Sequence, residues 1–349
     1  MEQRQLGRTG LVVSAIGLGM EHAERSAESM EELLATAVAG GISYIDTLYG
    51  DPDERDITFW EVFAPALAKQ RDKLLVSGHW SDWRFDLDAC ERRFEHLLER
   101  SGGRVEVAIV PMVDYVEALH GPVAETLRRL ERFKREGRVG AIGMSGHVPE
   151  VALEAVQSGR LDVLMYPVNL VKHDSEPDQA LYQACLEQGV GLIAMKPFYG
   201  GTLLVAQGKP TGITPWQCLD YVLAQPVSTT VPGARNAEQV RGVLSYLEAS
   251  QEERDYRPAQ ANLHTRLAGI CVFCNHCLPC PSGIDIANTL MLADWAKGGM
   301  MLEDVRASYG NLPAKASDCS ECGECSARCP FGVDVASKMQ EAAAIFASS

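Results

Sequence analysis

Short apolar runs recur along the first 250 residues, at 11–18, 42–46, 73–78, 105–111, 139–144, 161–166, 190–195 and 228–232. Many are rich in valine and isoleucine, as strands buried on both faces of a parallel sheet are. The stretches between them are amphipathic. Residues 31–38, 90–98, 124–134 and 239–247 place apolar side chains three and four apart, which predicts helices. Glycine often precedes a strand, as at Gly40-Gly41, Gly137 and Gly189, where helix C-caps need it. Strand–helix units spaced ~30 residues apart over ~240 residues predict a (β/α)8 TIM barrel, an α/β fold. An open doubly wound sheet is the alternative; the even strand count and the lack of a glycine-rich first turn weigh against it.

Two local patterns resemble motifs and fail them. Gly17-Leu18-Gly19 follows a strand, but Glu21 and His22 stand where a dinucleotide fingerprint needs its third glycine. Gly143-Met144-Ser145-Gly146-His147 has histidine where a hydrolase nucleophile elbow ends in glycine, so a backbone turn is expected there.

The pattern changes at the polar stretch Gln251-Glu252-Glu253-Arg254-Asp255, which predicts a boundary between a barrel at 1–250 and a second domain at 251–349. Of 349 residues, 46% are hydrophobic, enough for both to have cores. The 32 Lys and Arg against 47 Asp and Glu give a net charge of -15, which argues against a nucleic-acid partner. No apolar run approaches the ~20 residues of a membrane span. The first ten residues are polar, with no signal-peptide pattern, so the expectation is a cytoplasmic protein without membrane insertion.

Eleven cysteines change the picture. Cys90, Cys185 and Cys218 are isolated in apolar or helical surroundings and are expected to be buried thiols. The other eight form two runs, Cys271-x2-Cys274-x2-Cys277-x2-Cys280-Pro281 and Cys319-x2-Cys322-x2-Cys325-x3-Cys329-Pro330. Both are close to the bacterial ferredoxin run, whose fourth cysteine ligates the other cluster. The expected sets are Cys271, Cys274, Cys277 and Cys329 for one [4Fe–4S] cluster, and Cys319, Cys322, Cys325 and Cys280 for the other. Cys280-Pro-Ser-Gly-Ile-Asp-Ile-Ala repeats as Cys329-Pro-Phe-Gly-Val-Asp-Val-Ala, implying two similar halves. The first run has two residues before its last cysteine rather than three. Structural zinc is the alternative, but zinc sites take four ligands, usually as two separated pairs.

Leu6-Gly-Arg-Thr-Gly10, Val13-Ser-Ala-Ile-Gly-Leu-Gly19, Gly41-Ile-Ser-Tyr-Ile-Asp-Thr47, Gly137-Arg-Val-Gly-Ala-Ile-Gly-Met-Ser145 and Pro232-Gly-Ala-Arg-Asn-Ala-Glu-Gln239 resemble aldo/keto reductases. Ala194-Met-Lys-Pro197 with Gly200-Gly201 resembles the branch with a C-terminal ferredoxin-like domain. The resemblance implies NADPH-dependent carbonyl reduction by a tyrosine tuned by lysine and aspartate, with a histidine near the carbonyl oxygen. Carried over, Asp46 matches the aspartate and Tyr49 the tyrosine, two residues early. His79 falls at the lysine position, and Pro111 stands where the histidine belongs. Among cofactor contacts, the resemblance implies Ser145, Asn169, Gly233, Arg235 and Gln239, with Arg235 the natural phosphate partner. Gly146 replaces the usual asparagine, and Met165 and Met195 replace a glutamine and a ring-stacking tyrosine.

Each candidate also has a plainer reading. Asp46 could cap a turn, His79 could be a packed neutral histidine, and Arg235 could be a surface arginine. Lys196, at the end of a buried strand, is expected to point into the barrel mouth and to supply a cation there, or else to pair with Asp46. The functional expectation is an iron–sulfur oxidoreductase in which the barrel binds a small-molecule redox substrate and the clusters relay single electrons, with a redox protein as a candidate partner. The other class is a barrel without reductase chemistry that serves electron transfer or docking.

Overall fold

The computed structural model describes residues 1–49, 54–80, 86–172, 175–298 and 302–347, without the side chains of residues 48, 49, 54–57 and 302–304. The chain folds as two compact units, residues 1–204 with 213–258, and residues 205–212 with 259–349.

In the first unit eight strands form one parallel sheet in sequence order. They are β1 (Leu18–Gly19), β2 (Tyr44–Tyr49), β3 (Leu75–His79), β4 (Val105–Val110), β5 (Val139–Ser145), β6 (Val163–Pro167), β7 (Gly191–Met195) and β8 (Thr229–Val231). Parallel bridges Ile16–Thr230 and Gly19–Gly233 join its two edges, and the Gly17 backbone N donates to Thr230 O at 2.8 Å. A helix follows each strand: α1 (Ala27–Ala39), α2 (Glu54–Ala68), α3 (Leu87–Arg100), α4 (Pro122–Arg135), α5 (Pro149–Gln157), α6 (Glu176–Gln188), α7 (Pro215–Leu223) and α8 (Ala237–Leu244). This is the (β/α)8 barrel that the recurring runs predict.

Local chemistry sets the helix ends. The Ser26, Asp86, Ser175 and Asn236 side chains accept from backbone N–H groups at the starts of α1, α3, α6 and α8, satisfying donors that no intrahelical carbonyl reaches. Gly189 ends α6 at φ 65, a conformation that costs residues with a Cβ.

The first apolar run behaves differently from the others. Val12–Ser14 pairs antiparallel with Gln3–Gln5, and it is the end of the run, from the Ile16 bridge to Leu18–Gly19, that joins the barrel sheet. The hairpin carries Leu6 and Val13 into the barrel interior, against Tyr44, Val107, Ile193 and Val231. Gly7 turns beside the start of β7, where a Cβ would lie 2.3 Å from Gly191 N. The hairpin thus plugs the N-terminal end of the barrel, a task that takes antiparallel pairing rather than another parallel strand. At the same end Glu106 is nearly buried, bonded to Arg71 Nη2 at 3.0 Å and accepting from Val76 N at 2.7 Å.

In the second unit α9 (Ile286–Lys297) packs on α10 (Leu302–Gly310) and α11 (Val335–Ala347). The sequence repeat is also a structural one. Asp285 accepts from Asn288 N and Asp334 from Ser337 N, both at 3.1 Å, at the starts of α9 and α11. Gly283 N donates to Cys280 O, and Gly332 N to Cys329 O. Among the described residues no helix is long and apolar enough to cross a membrane.

Candidate active site and cysteine centre

Catalytic groups in such barrels sit at the C-terminal strand ends. Asp46 on β2 and His79 on β3 meet there, with His79 Nε2 donating to Asp46 Oδ1 at 3.0 Å. The buried Ser77 hydroxyl donates to the same oxygen at 2.5 Å. Asp46 therefore gathers the ends of two strands. A bulge between Asp46 and Tyr49 places the Tyr49 backbone opposite His79. That extra residue accounts for an unusual register in this strand. The Tyr49 side chain lies outside the described residues. One layer below, Tyr44 is fully buried, and burial first, then the charge of Asp46, push its phenol pKa well up. Its ring packs in the barrel core with Val107 and Ile193.

Lys196 does not pair with Asp46. Its Nζ lies 2.9 Å from His147 Nε2, and His147 Nδ1 lies 3.1 Å from Asp114 Oδ2. Asp114 Oδ1 also accepts from the His147 backbone N at 2.5 Å. Spacing alone does not mark Asp114 and His147 as site residues. The signal the sequence carries is a titratable residue a few positions beyond a barrel strand. Burial works to raise the Asp114 pKa, but the bonds and charge of His147 and the charge of Lys196 hold it below the ordinary carboxylate value. Solvent reaches Lys196, yet surrounding protein pushes its pKa down, by burial first and then by the Lys172 charge, against opposing pulls from Glu21 and Asp114.

The loop after β4 makes this arrangement. Val113 N donates to Ser145 O at 2.8 Å and Met112 N to Ser145 Oγ at 3.1 Å, so the loop lies across the end of β5. A Cβ on Gly146 would stand 2.7 Å from Val113 O. An asparagine cannot occupy that position while the loop is in place.

The residues that the resemblance implies for a nicotinamide cofactor are differently disposed. Ser145 is buried and engaged with the β4 loop. Asn169 is fully buried, its Nδ2 donating to Lys196 O and its Oδ1 accepting from Val171 N. It shapes the Lys196 turn and does not face the mouth. Met165 is packed in the barrel core. These nicotinamide-side positions do not fit the ring. Gly233, Arg235 and Gln239 are exposed at the start of α8, where Gln239 Oε1 accepts from Arg235 N at 2.8 Å. Glu24 lies beside them, its Oε1 accepting from Asn236 Nδ2 at 2.9 Å. A phosphate there would meet one guanidinium and one carboxylate.

In the second unit, Cys280 lines one cavity together with Cys319, Cys322 and Cys325. The shorter spacing before Cys280 does not keep it from this group. The other cysteines also collect. The Cys271 thiol is pushed up to about 11, by burial first and then by Cys274 and Cys329. Cys277 is pushed up to about 12, by burial first and then by Cys271 and Cys274. Crowded thiols that raise one another become thiolates only beside a cation, which suits an iron–sulfur donor set. Both loops share a backbone signature: Phe273 and Asn275 flank Cys274, and Glu321 and Gly323 flank Cys322, all with φ between 50 and 76. Glu321 N donates to Cys319 Sγ at 3.4 Å. Arg328 ties the halves by donating to Cys277 O and Pro279 O. Among the described residues, no three Cys, His, Asp or Glu side chains converge as on a single metal ion. Cys90, Cys185 and Cys218 are buried elsewhere, the last two pushed up to about 12 by burial.

An aldo/keto reductase family model matches residues 15–216, and a 4Fe-4S dicluster domain model matches residues 270–334. L-galactose dehydrogenase of Arabidopsis thaliana is 27% identical over 230 residues, spanning 60% of this chain and 69% of that protein. An aldo-keto reductase of Mycobacterium sp. (strain JLS) is 24% identical over 262 residues, 70% of this chain and 88% of that protein. Among solved structures, a holo-form aldo-keto reductase of Bacillus halodurans superimposes with a TM-score of 0.62 at 20% identity, covering 74% of this chain and 96% of its own. An aldo/keto reductase of Klebsiella pneumoniae in complex with NADP and acetate gives 0.57 at 19% identity, with 75% and 95% coverage.

Proposed function

The chain belongs to the aldo/keto reductase family and carries a C-terminal 4Fe-4S dicluster domain, and from that premise we propose that its barrel mouth carries out redox chemistry on a small carbonyl or alcohol with two [4Fe–4S] clusters as electron carriers. The observation that carries the reading is the cavity shared by Cys280 with Cys319, Cys322 and Cys325, beside a second crowded set of Cys271, Cys274, Cys277 and Cys329. Such clusters, when bound, pass electrons singly, so two of them match a two-electron organic step. Asp46, itself held by the Ser77 hydroxyl, fixes the His79 ring at the C-terminal strand ends. A redox protein is the natural further partner, drawn to the acidic surface through basic groups of its own.

A second reading has the barrel serve electron transfer or docking without reductase chemistry. Pro111 at the end of β4, the buried Met165 and the buried Asn169 favour it. One experiment separates the two. Anaerobically reconstituted protein, carrying about eight irons per chain, is reduced with dithionite and mixed with panels of aldehydes, ketones and NADP+ while cluster absorbance is followed. Reoxidation by a carbonyl compound with matching alcohol formation supports the first reading. Reoxidation only by added redox proteins supports the second, and iron-free protein holding zinc overturns both.

A further inference from the structure

Lys196, His147 and Asp114 follow three different strands, β7, β5 and β4. Asp114 grips His147 twice, by the ring Nδ1 and by the backbone N. A carboxylate on Nδ1 keeps the proton there, so Nε2 is the acceptor, and it faces Lys196 Nζ at 2.9 Å. An amine beside a base, with the base oriented by a carboxylate, is the geometry of an activated nucleophile. Lys196 and Met112 also hold left-handed backbones, φ 55 and 54, which residues with a Cβ rarely adopt. Strain of that kind collects where side chains are aimed for chemistry.

We propose that Lys196 is a nucleophilic amine that condenses with an aldehyde or ketone to form an imine, with His147 carrying the protons and Asp114 positioning His147. The neutral Nζ attacks the carbonyl carbon, a C–N bond forms, and the carbonyl π pair moves to oxygen. One Nζ proton passes through His147 Nε2 to that oxygen, giving a carbinolamine. The second follows the same route, the C–O bond breaks, and water leaves a C=N bond. Amine plus carbonyl gives imine plus water, so no oxidant or reductant is required. Among the described residues, the charged groups facing Lys196 are Glu21 and Asp114, which retain its proton, and Lys172, which repels it. Met112, Tyr115 and Val116 are exposed on the loop that carries Asp114, an apolar surface suited to the hydrocarbon part of the carbonyl compound. The step is independent of the electron-transfer reading, and either can fail without the other.

The test uses full-length protein with its clusters, kept anaerobic and mixed with equimolar benzaldehyde and sodium cyanoborohydride. Peptide mass spectrometry then quantifies benzylation at each lysine across a pH series. Lys69 and Lys297, both exposed and ion-paired, are internal references. Lys196 is expected to react at least about tenfold faster than either near pH 7, with its half-maximal rate at a lower pH. His147→Ala and Asp114→Ala are expected to slow Lys196 by at least about tenfold. Asp114→Asn, which keeps an oxygen for Nδ1–H, restores part of the rate. Labelling of Lys196 no faster than Lys69 in the unaltered protein overturns the proposal. So does an unchanged rate in His147→Ala protein with an unaltered circular dichroism spectrum.

Discussion

Replacing Cys280 and Cys319 together by alanine tests whether the fourth cysteine of each run serves the other run's cluster. Cys280 shares a cavity with Cys319, Cys322 and Cys325, so under the proposed exchange both substitutions fall on one ligand set. The other set, Cys271, Cys274, Cys277 and Cys329, keeps all four sulfurs, with Cys329 beside Cys271. Iron should then drop from about eight to about four per chain, leaving one [4Fe–4S] signal. The companion pair, Cys271→Ala with Cys280→Ala, takes one ligand from each set, and iron should fall well below four. Ligation within each run predicts the reverse: the first pair damages both clusters and the second spares one. Iron and sulfide analysis with EPR of the dithionite-reduced protein reads the outcome. Alanine is used because serine oxygen can itself bind iron. Four irons retained by Cys271→Ala/Cys280→Ala protein, with near-total loss in Cys280→Ala/Cys319→Ala protein, would refute the exchange.

Glu106→Ala removes the carboxylate that pairs the largely buried Arg71 and accepts from Val76 N. The Arg71 guanidinium keeps its bonds to the Ser101, Leu74 and Arg104 carbonyls but loses its carboxylate partner in a largely buried place, at about 3 kcal/mol. For a unit of this size that lowers Tm by roughly 6–12 °C, and calorimetry showing under about 1 kcal/mol would sink the account. Gly146→Asn restores the residue that the family resemblance implies, but its Cβ meets Val113 O at 2.7 Å. The β4 loop must move, at about 1–3 kcal/mol, and Lys196 labelling should slow with it; an unchanged rate at unchanged stability contradicts the clash.

The barrel is legible because buried parallel strands leave continuous apolar runs, and all eight runs contribute to strands of the first unit. The exception within the first run has a clear cause: Val13 serves the plug while Leu18 serves the barrel, and apolarity alone does not tell pairing direction. The cysteine repeat is equally readable, since ligand spacing is a local property of the chain. Asp114 and His147 are not, because they sit on connections where no period operates, and only the crossing of the β4 loop over β5 brings them together. Asn169 shows the opposite limit. Its position marks a site residue, but its burial and two backbone bonds give it a structural task.

The departures from the family pattern at the mouth are linked rather than scattered. The chain turns after Pro111, and Met112 and Val113 bond back to Ser145. That path occupies the space of a side chain at position 146, so glycine there follows from the loop. The same path delivers the Asp114 carboxylate to both His147 nitrogens, backbone and ring. His147 in turn has its remaining nitrogen aimed at Lys196, whose own left-handed turn is held by Asn169. Pro111 after β4, Gly146 after β5 and Lys196 after β7 are thus tied together through one path of the chain. It leaves Asp46 and His79 joined on β2 and β3 while building a second set of titratable groups from β4, β5 and β7. A barrel that had merely decayed would be under no physical requirement to orient a new carboxylate, imidazole and amine in series.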